Sequence, residues 1–186
     1  FPDTTARLAK ISPSRKVPLL IWDDETVWDS LAIIEWIAER YPDAEVWPKD
    51  AAARGRARAI CSEMHSGFPT LRKVCPMDIR SRHSQPEMTE ALTLDCARVD
   101  TIWTQTRDQF GSDGPFLFGE WSAADAFYAP VVTRFLTYDL PISEAGAIYC
   151  RAVMAHPLMV ELAKQAEAEP WMIAYEPERR RAWLRT

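Results

Sequence analysis

The stretch that decides the fold runs from Lys16 to Tyr41 and reads KVPLLIWDDETVWDSLAIIEWIAERY. Two short apolar segments are separated by the acidic turn Asp23-Asp24-Glu25, a pattern typical of two paired strands. An apolar-periodic run then begins at Ser30 and stops at Pro42, which predicts a helix between them. The stretch therefore predicts a two-stranded hairpin that leads directly into a helix.

Two places in this stretch can offer backbone groups to a small ligand. Pro18 cannot donate a hydrogen bond, so it belongs at the start or the edge of a strand. A cis Val17–Pro18 bond would turn the Val17 backbone towards an extended peptide. Cis bonds make up only about 5% of X-Pro bonds, however, so frequency alone favours trans here. Asp29 and Ser30 are good N-cap residues at a helix start that attracts anions, although capping alone can explain both.

Length and composition exclude several classes of function. The 186 residues are enough for one or two domains, and the net charge of −5 gives no electrostatic footprint for nucleic acid. No apolar run approaches the roughly 18 residues of a membrane span. The histidines and cysteines show no zinc spacing and no C-x-x-C pair, so we expect no metal, a cytoplasmic protein and reduced, mostly buried thiols. The four cysteines are Cys61, Cys75, Cys96 and Cys150.

The remainder of the chain predicts helices. After a candidate linker from Tyr41 to Asp50, helix formers dominate, and Gly67 and Pro69 should break the first long helix. An irregular, exposed connection is expected from Cys75 to Pro86, and the tail from Pro170 should run over the surface. The expected helices cover Ala51 to about Lys73, Pro86–Phe110, a run that opens at Ser122, Ser143–Ala155 and Pro157–Glu169.

The run after Gly119 predicts a buried helix. It is apolar on nearly every side, and Ser122 and Asp125 have capping-box spacing with Asp in place of Glu. Pro130 lies inside it and should bend it or cost a hydrogen bond. We expect Ser122 and Asp125 to be structural.

These two motifs, in this order, resemble those of the glutathione transferase family over about Ser12 to Glu169. The resemblance implies an α+β fold, with a partial thioredoxin-like N-terminal domain followed by an all-α helical-bundle C-terminal domain. The domain bounds implied are 1–43, a linker at 44–50, and 51–186. In the family a first β-α-β unit carries the catalytic hydroxyl or thiol. We expect that unit, with its Ser, Tyr or Cys, upstream of Phe1, so the catalytic residue is unknown.

The resemblance also implies a glutathione-binding site. Val17, before a cis Pro18, would pair with the cysteinyl backbone of glutathione. Ser30 and Asp29 would hold the γ-glutamyl carboxylate and amino group. Lys16 would lie near the glycine carboxylate. The family often has Glu at position 29, and Asp shortens the reach to the ligand amino group.

The electrophile would lie over the first long helix of the second domain. Met64 and Phe68 can form an apolar wall there, and His65 and Arg72 can contact a carboxylated substrate. The alternative is that Met64 and Phe68 belong to the core, that His65 is an ordinary surface or interface residue, and that Arg72 makes an ion pair.

The resemblance implies a homodimeric enzyme that transfers the glutathione thiolate to a small electrophile. A free thiol has a pKa of about 8.5, so the enzyme must favour the thiolate. Three alternatives stay open: a glutathione-dependent isomerase of the maleylacetoacetate type, a thiol-disulfide or dehydroascorbate-type reductase, and a non-catalytic binding module. The residue upstream of Phe1 would distinguish them.

Overall fold

The computed structural model describes residues 3–170, which form one two-stranded sheet and a set of α-helices. A short 3-10 helix, Pro42–Ala44, lies in the expected linker. The order along the chain is α1 (Thr4–Ile11), β1 (Leu19–Trp22), β2 (Glu25–Trp28), α2 (Ser30–Arg40), α3 (Ala51–Ser66), α4 (Pro69–Val74), α5 (Glu90–Phe110), α6 (Ala123–Thr137), α7 (Glu144–Ala155) and α8 (Pro157–Ala168). The fold is α+β, a thioredoxin-like N-terminal part followed by a helical part, as the sequence predicted.

Strands β1 and β2 form the expected antiparallel hairpin, with Leu19 opposite Trp28 and Trp22 opposite Glu25. Glu25, which the sequence placed in the turn, begins β2, because the pairing leaves only a two-residue turn. One face of the hairpin packs on α2, where the rings of Trp22 and Trp36 lie 5.9 Å apart. The guanidinium of Arg40 lies over both of these rings.

The other face of the hairpin is much more open. Side chains alternate between the two faces of a strand, so Ile21 and Trp28 share the face opposite Trp22. Ile21 is 60% exposed and Trp28 is 46% exposed. Helix α1, which precedes the hairpin, contributes no buried residue. The hairpin end is therefore thinly packed.

The first long helix is broken where the sequence predicted. Helix α3 ends at Ser66, and a Cβ atom at Gly67 would lie 2.5 Å from the carbonyl oxygen of Glu63. Phe68 then takes a φ of 58°, and Pro69 begins α4. The carboxylate of Asp95 accepts hydrogen bonds from the first backbone N–H groups of α4.

Helix α6 lies at the centre of the helical part and is buried on nearly every side, as predicted. It packs on α3, where the Tyr128 hydroxyl donates to the Ile60 carbonyl at 3.1 Å. The fully buried Trp103 of α5 sits among aromatic rings of α6 and α7. These are Tyr128, Phe135 and Tyr149, with ring centroids 5.2 to 5.9 Å from that of Trp103.

The start of α6 is fixed by Asp125, which is fully buried. One carboxylate oxygen accepts from the Leu117 N–H and the Tyr149 hydroxyl, both at 3.1 Å. The other accepts from the Ser122 N–H at 2.9 Å and the Ser122 hydroxyl at 3.0 Å. Burial raises the pKa of Asp125 even though these four hydrogen bonds favour the charged form. The predicted Ser122–Asp125 pairing is present.

The connection from Cys75 to the start of α5 is irregular, as expected, but the prediction that it is exposed was wrong for part of it. Cys75 and Asp78 are buried. The Thr137 hydroxyl donates to the Asp78 carbonyl at 2.7 Å, and the His83 N–H donates to the Thr137 carbonyl at 2.7 Å. These hydrogen bonds hold the connection against the end of α6.

One predicted helix bound was wrong, and the predicted surface tail lies outside the described residues. Helix α5 begins at Glu90 and not at Pro86, because the Thr89 side chain caps it by accepting from the Leu92 N–H at 3.3 Å. The charged tail at 178–181 lies outside the described residues. Within residues 3–170, no helix has both the length and the apolar character that crossing a membrane requires.

Candidate ligand-binding site at the start of helix α2

The loop before β1 holds a cis peptide bond between Val17 and Pro18. The trans bond that frequency favoured is therefore wrong, and the cis bond that the resemblance implied is present. The Ser12 hydroxyl, in a residue that is 5% exposed, donates to the Lys16 carbonyl at 2.9 Å. Val17 itself is 73% exposed. This loop therefore presents Val17 to solvent on an anchored backbone.

The hairpin brings this loop beside the start of α2. Because Leu19 is paired with Trp28 in an antiparallel register, the residues before Leu19 run alongside those after Trp28. Pro18 and Val17 thus approach Asp29 and Ser30. Residues distant in sequence meet here on one exposed surface.

Asp29, and not Ser30, caps helix α2. Its Oδ1 atom accepts a hydrogen bond from the Leu31 N–H at 2.9 Å, and its φ of 76° directs the chain out of β2. Ser30 is the first residue of the helix. The free backbone donors at this end give it a partial positive charge that favours an anion.

His65 contacts the same carboxylate. Its Nε2 atom lies 2.8 Å from Oδ2 of Asp29, and the two side chains are 39% and 44% exposed. Farther along α2, Glu35 pairs with Arg58 of α3 through two contacts, at 2.8 and 2.7 Å. Asp29 precedes Glu35 and His65 follows Arg58, so α2 and α3 run antiparallel.

The other three residues predicted to face the electrophile have different surroundings. Met64 is 7% exposed and Phe68 is 5% exposed, and both belong to the hydrophobic core. The Arg72 guanidinium donates to the Gly67 carbonyl at 3.0 Å and to the Met64 carbonyl at 2.5 Å. These contacts satisfy carbonyl groups at the end of α3. The structure thus brings His65 to Asp29 and leaves Met64, Phe68 and Arg72 in the packing around the break after α3.

Two contacts at this candidate site were not predicted from the sequence. The pairing of His65 with Asp29 has no local signal, because it depends on how α2 packs on α3. The ring of Phe127, in α6, lies edge-on to the His65 ring with centroids 6.5 Å apart, and it was missed for the same reason.

No activated thiol is found in the part of the chain that the structure describes. Burial raises the pKa of Cys61, Cys96 and Cys150 to about 12, and Cys75 is also buried. Buried thiols of this kind are inert. Nor does any group of three or more His, Cys, Asp or Glu side chains within residues 3–170 form a metal site.

The candidate site offers the Asp29 carboxylate, the start of α2 and exposed backbone groups. These groups can bind and orient a small zwitterionic peptide.

Comparisons with known proteins find similar chains. Residues 1–40 match the family model described as Glutathione S-transferase, N-terminal domain. A probable maleylacetoacetate isomerase of Caenorhabditis elegans is 39% identical over 69 residues, which cover 37% of this chain and 32% of the relative. The chain thus spans about a third of that relative's length.

Other similar proteins cover more of the chain. A stringent starvation protein A homolog of Pasteurella multocida is 25% identical over 152 residues, covering 80% of this chain and 66% of that protein. The crystal structure of a glutathione transferase homolog from Burkholderia, with bound glutathione, superposes with a TM-score of 0.64 at 25% identity. That alignment covers 84% of this chain and 76% of the other.

Proposed function

We propose that this chain belongs to the glutathione S-transferase family, that it binds glutathione at the start of α2, and that it transfers the glutathione thiolate to a small electrophile. The observation that carries the proposal is the exposed Val17 backbone at the hairpin end where Asp29 caps α2 and Ser30 begins it. The Val17 side of the site offers backbone groups. The α2 side offers the negative carboxylate of Asp29 and the partial positive charge of the helix start. Glutathione has matching groups at its cysteine and at its γ-glutamyl end.

The ligand is placed by charge and by backbone pairing. The cysteinyl backbone pairs with Val17, as in strand addition. The γ-glutamyl carboxylate meets the N–H groups and the hydroxyl at Ser30, where the helix dipole favours an anion. The ammonium group meets Asp29, and the glycine carboxylate lies near the exposed Lys16.

The chemistry is a thiolate attack. The thiol loses its proton, and sulfur forms a bond to the electrophilic carbon. In a displacement the leaving group departs with the electron pair of the broken bond, and in an addition the electron pair of the double bond moves to its other carbon. The cysteines and tyrosines with raised pKa values are buried in the helical part and do not serve this step. The stabilising Ser, Tyr or Cys is proposed to lie upstream of Phe1. Residues 3–170 then bind and orient the co-substrate.

The acceptor side of the cleft remains a prediction. Met64, Phe68 and Arg72 would contact an electrophile only through the small exposed parts of their side chains. We further propose that the protein acts as a homodimer in the cytoplasm on small molecules. Light scattering at the elution peak of a gel-filtration column would test the dimer.

A second candidate is glutathione-dependent isomerisation. The relative from Caenorhabditis elegans with 39% identity is named a probable maleylacetoacetate isomerase. In this reaction the thiolate adds to a cis double bond, the adduct rotates, and the thiolate leaves again. An assay with a cis-ene-dione acid would distinguish it from conjugation. Two further alternatives stay open. One is reductase activity, and the other is glutathione-independent binding of a partner.

The direct test is Ser30→Ala. Loss of the hydroxyl should weaken glutathione binding about tenfold, because a hydrogen bond to a charged ligand group is removed. Titration calorimetry measures the change, and the melting temperature should stay within about 2 °C, because Asp29 still caps the helix. Ser112→Ala, an exposed serine after α5, is the matched control with unchanged affinity. Equal affinity in Ser30→Ala and the wild type would contradict the proposed site.

A further inference from the structure

The carboxylate of Asp29 is held at both oxygens but saturated at neither. Oδ1 accepts one hydrogen bond from the Leu31 N–H, and Oδ2 lies 2.8 Å from Nε2 of His65. An ionised carboxylate offers about four acceptor positions. Its exposed fraction of 44% leaves room for a further donor. A ligand ammonium group can therefore bind without displacing either partner.

His65 has a place that does not depend on Asp29. It lies in the last turn of α3, with its ring edge-on to that of Phe127, which is 9% exposed in α6. Arg58 and Glu35 tie α3 to α2 separately, farther along both helices. The imidazole thus connects the buried core to the exposed carboxylate.

We propose that His65 is a positioning residue for the amino-group end of glutathione, holding the Asp29 carboxylate in the orientation that receives the ammonium group. This inference rests on the proposed function. Without His65, a single hydrogen bond to the Leu31 N–H restrains the carboxylate, and its outer oxygen is free to turn to solvent. An aspartate has one methylene fewer than a glutamate, so it has less reach with which to compensate for a carboxylate that is turned away from the ligand. His65 therefore acts on glutathione and not on the electrophile.

The test compares two ligands and three variants of the full chain. The ligands are glutathione and the glutaryl analogue of glutathione that lacks the α-amino group. His65→Ala should weaken glutathione binding about tenfold, with little change for the analogue. His65→Gln keeps an N–H donor at similar reach and should stay within about threefold of the wild type for both ligands. Titration calorimetry measures all of these affinities.

Arg58→Gln is the matched control. It removes a second polar contact between α2 and α3, so it reproduces any general loosening of the two helices. We expect its glutathione affinity to stay within about twofold of the wild type, because exposed ion pairs contribute little. Circular dichroism and melting temperatures confirm that each variant is folded.

The outcomes separate the two proposals. A wild-type chain that does not bind glutathione overturns both. A wild-type chain that binds, with equal affinity or tighter binding in His65→Ala, overturns the role of His65 alone. Equal losses for the two ligands, or an equal loss in Arg58→Gln, would show that His65 only supports the fold, and would also overturn it.

Discussion

An aspartate fixes the start of α2 and another fixes the start of α6, and the two differ in what surrounds them. Asp125 at the start of α6 is fully buried and accepts four hydrogen bonds from the chain itself. Asp29 at the start of α2 is 44% exposed and has two partners. The carboxylate of Asp125 has its acceptor positions filled, whereas that of Asp29 can accept further hydrogen bonds. Unused capacity on an exposed carboxylate is what a ligand can bind.

The starts of α6 and α2 also differ in how closely the surrounding side chains pack. The start of α6 is held against α7 by the Tyr149 hydroxyl, which donates to Asp125, and the Tyr149 ring packs on Trp103 of α5. The start of α2 follows a hairpin with one open face, where Ile21 is 60% exposed. Stability is therefore concentrated in the helical part, and the binding groups lie where little packing would be lost by changing them.

The largest effect is expected from Asp125→Ala. Four buried donors lose their acceptor, so the free energy of unfolding should fall by about 4 kcal/mol. Urea unfolding followed by circular dichroism measures it. Asp29→Ala should cost only about 1 kcal/mol, the usual value of a helix cap. Similar losses in the two variants would remove the distinction drawn here.

A smaller effect, on binding and not on stability, is expected from Asp29→Asn. Asparagine caps helices as well as aspartate does, so the free energy of unfolding should change by less than about 0.5 kcal/mol. The neutral amide cannot pair with an ammonium group, so glutathione affinity should fall at least about tenfold. Calorimetry checks the affinity.

Asp95→Asn is the control for this change. Asp95 is also a carboxylate at a helix start, since it accepts from the Thr70 and Leu71 N–H groups of α4. Its replacement should leave glutathione affinity unchanged. Loss of binding in Asp95→Asn as well would point to a general effect of charge.

The smallest effect concerns pH and Asp125. Burial raises the pKa of this carboxyl above its ordinary value of 3.8, so the folded state takes up its proton at a higher pH than the unfolded state does. The cost of burying the charge is therefore present at neutral pH. It is relieved as the pH falls through the raised pKa towards 3.8.

Asp125→Asn lacks this titration and isolates it. The wild type should gain stability relative to Asp125→Asn as the pH is lowered over that range, in urea unfolding measured at a series of pH values. A difference between the two proteins that is constant with pH would contradict the raised pKa.

Local patterns in the sequence predicted the elements that depend on neighbouring residues. The hairpin, the breaks at Gly67 and Pro69, and the Ser122–Asp125 pairing are all set by residue types a few positions apart. Frequency alone failed at the Val17–Pro18 bond, because the isomer depends on the surrounding fold. The start of α5 was missed because the side chain of Thr89 supplies a cap that Pro86 does not.

Contacts between distant elements were beyond the reach of such patterns. The pairing of His65 with Asp29 requires α2 and α3 to lie antiparallel, and nothing local to either residue indicates it. The burial of Asp78 likewise requires the end of α6 to pack on a connection that looked exposed. Arg72 was predicted to contact the electrophile, but the turn of the chain at Gly67 directs its guanidinium to the Gly67 and Met64 carbonyls, which no local pattern indicates.

The separation of aromatic residues has a consequence for spectroscopy. Trp103 is fully buried in the helical part. Trp22 is 41% exposed at the hairpin, where Arg40 lies over its ring. A dissolved quencher such as acrylamide can collide with Trp22 but not with Trp103. Quenching by such a molecule therefore distinguishes loosening of the hairpin end from opening of the helical core, where Trp103 becomes accessible only when the packing around it is lost.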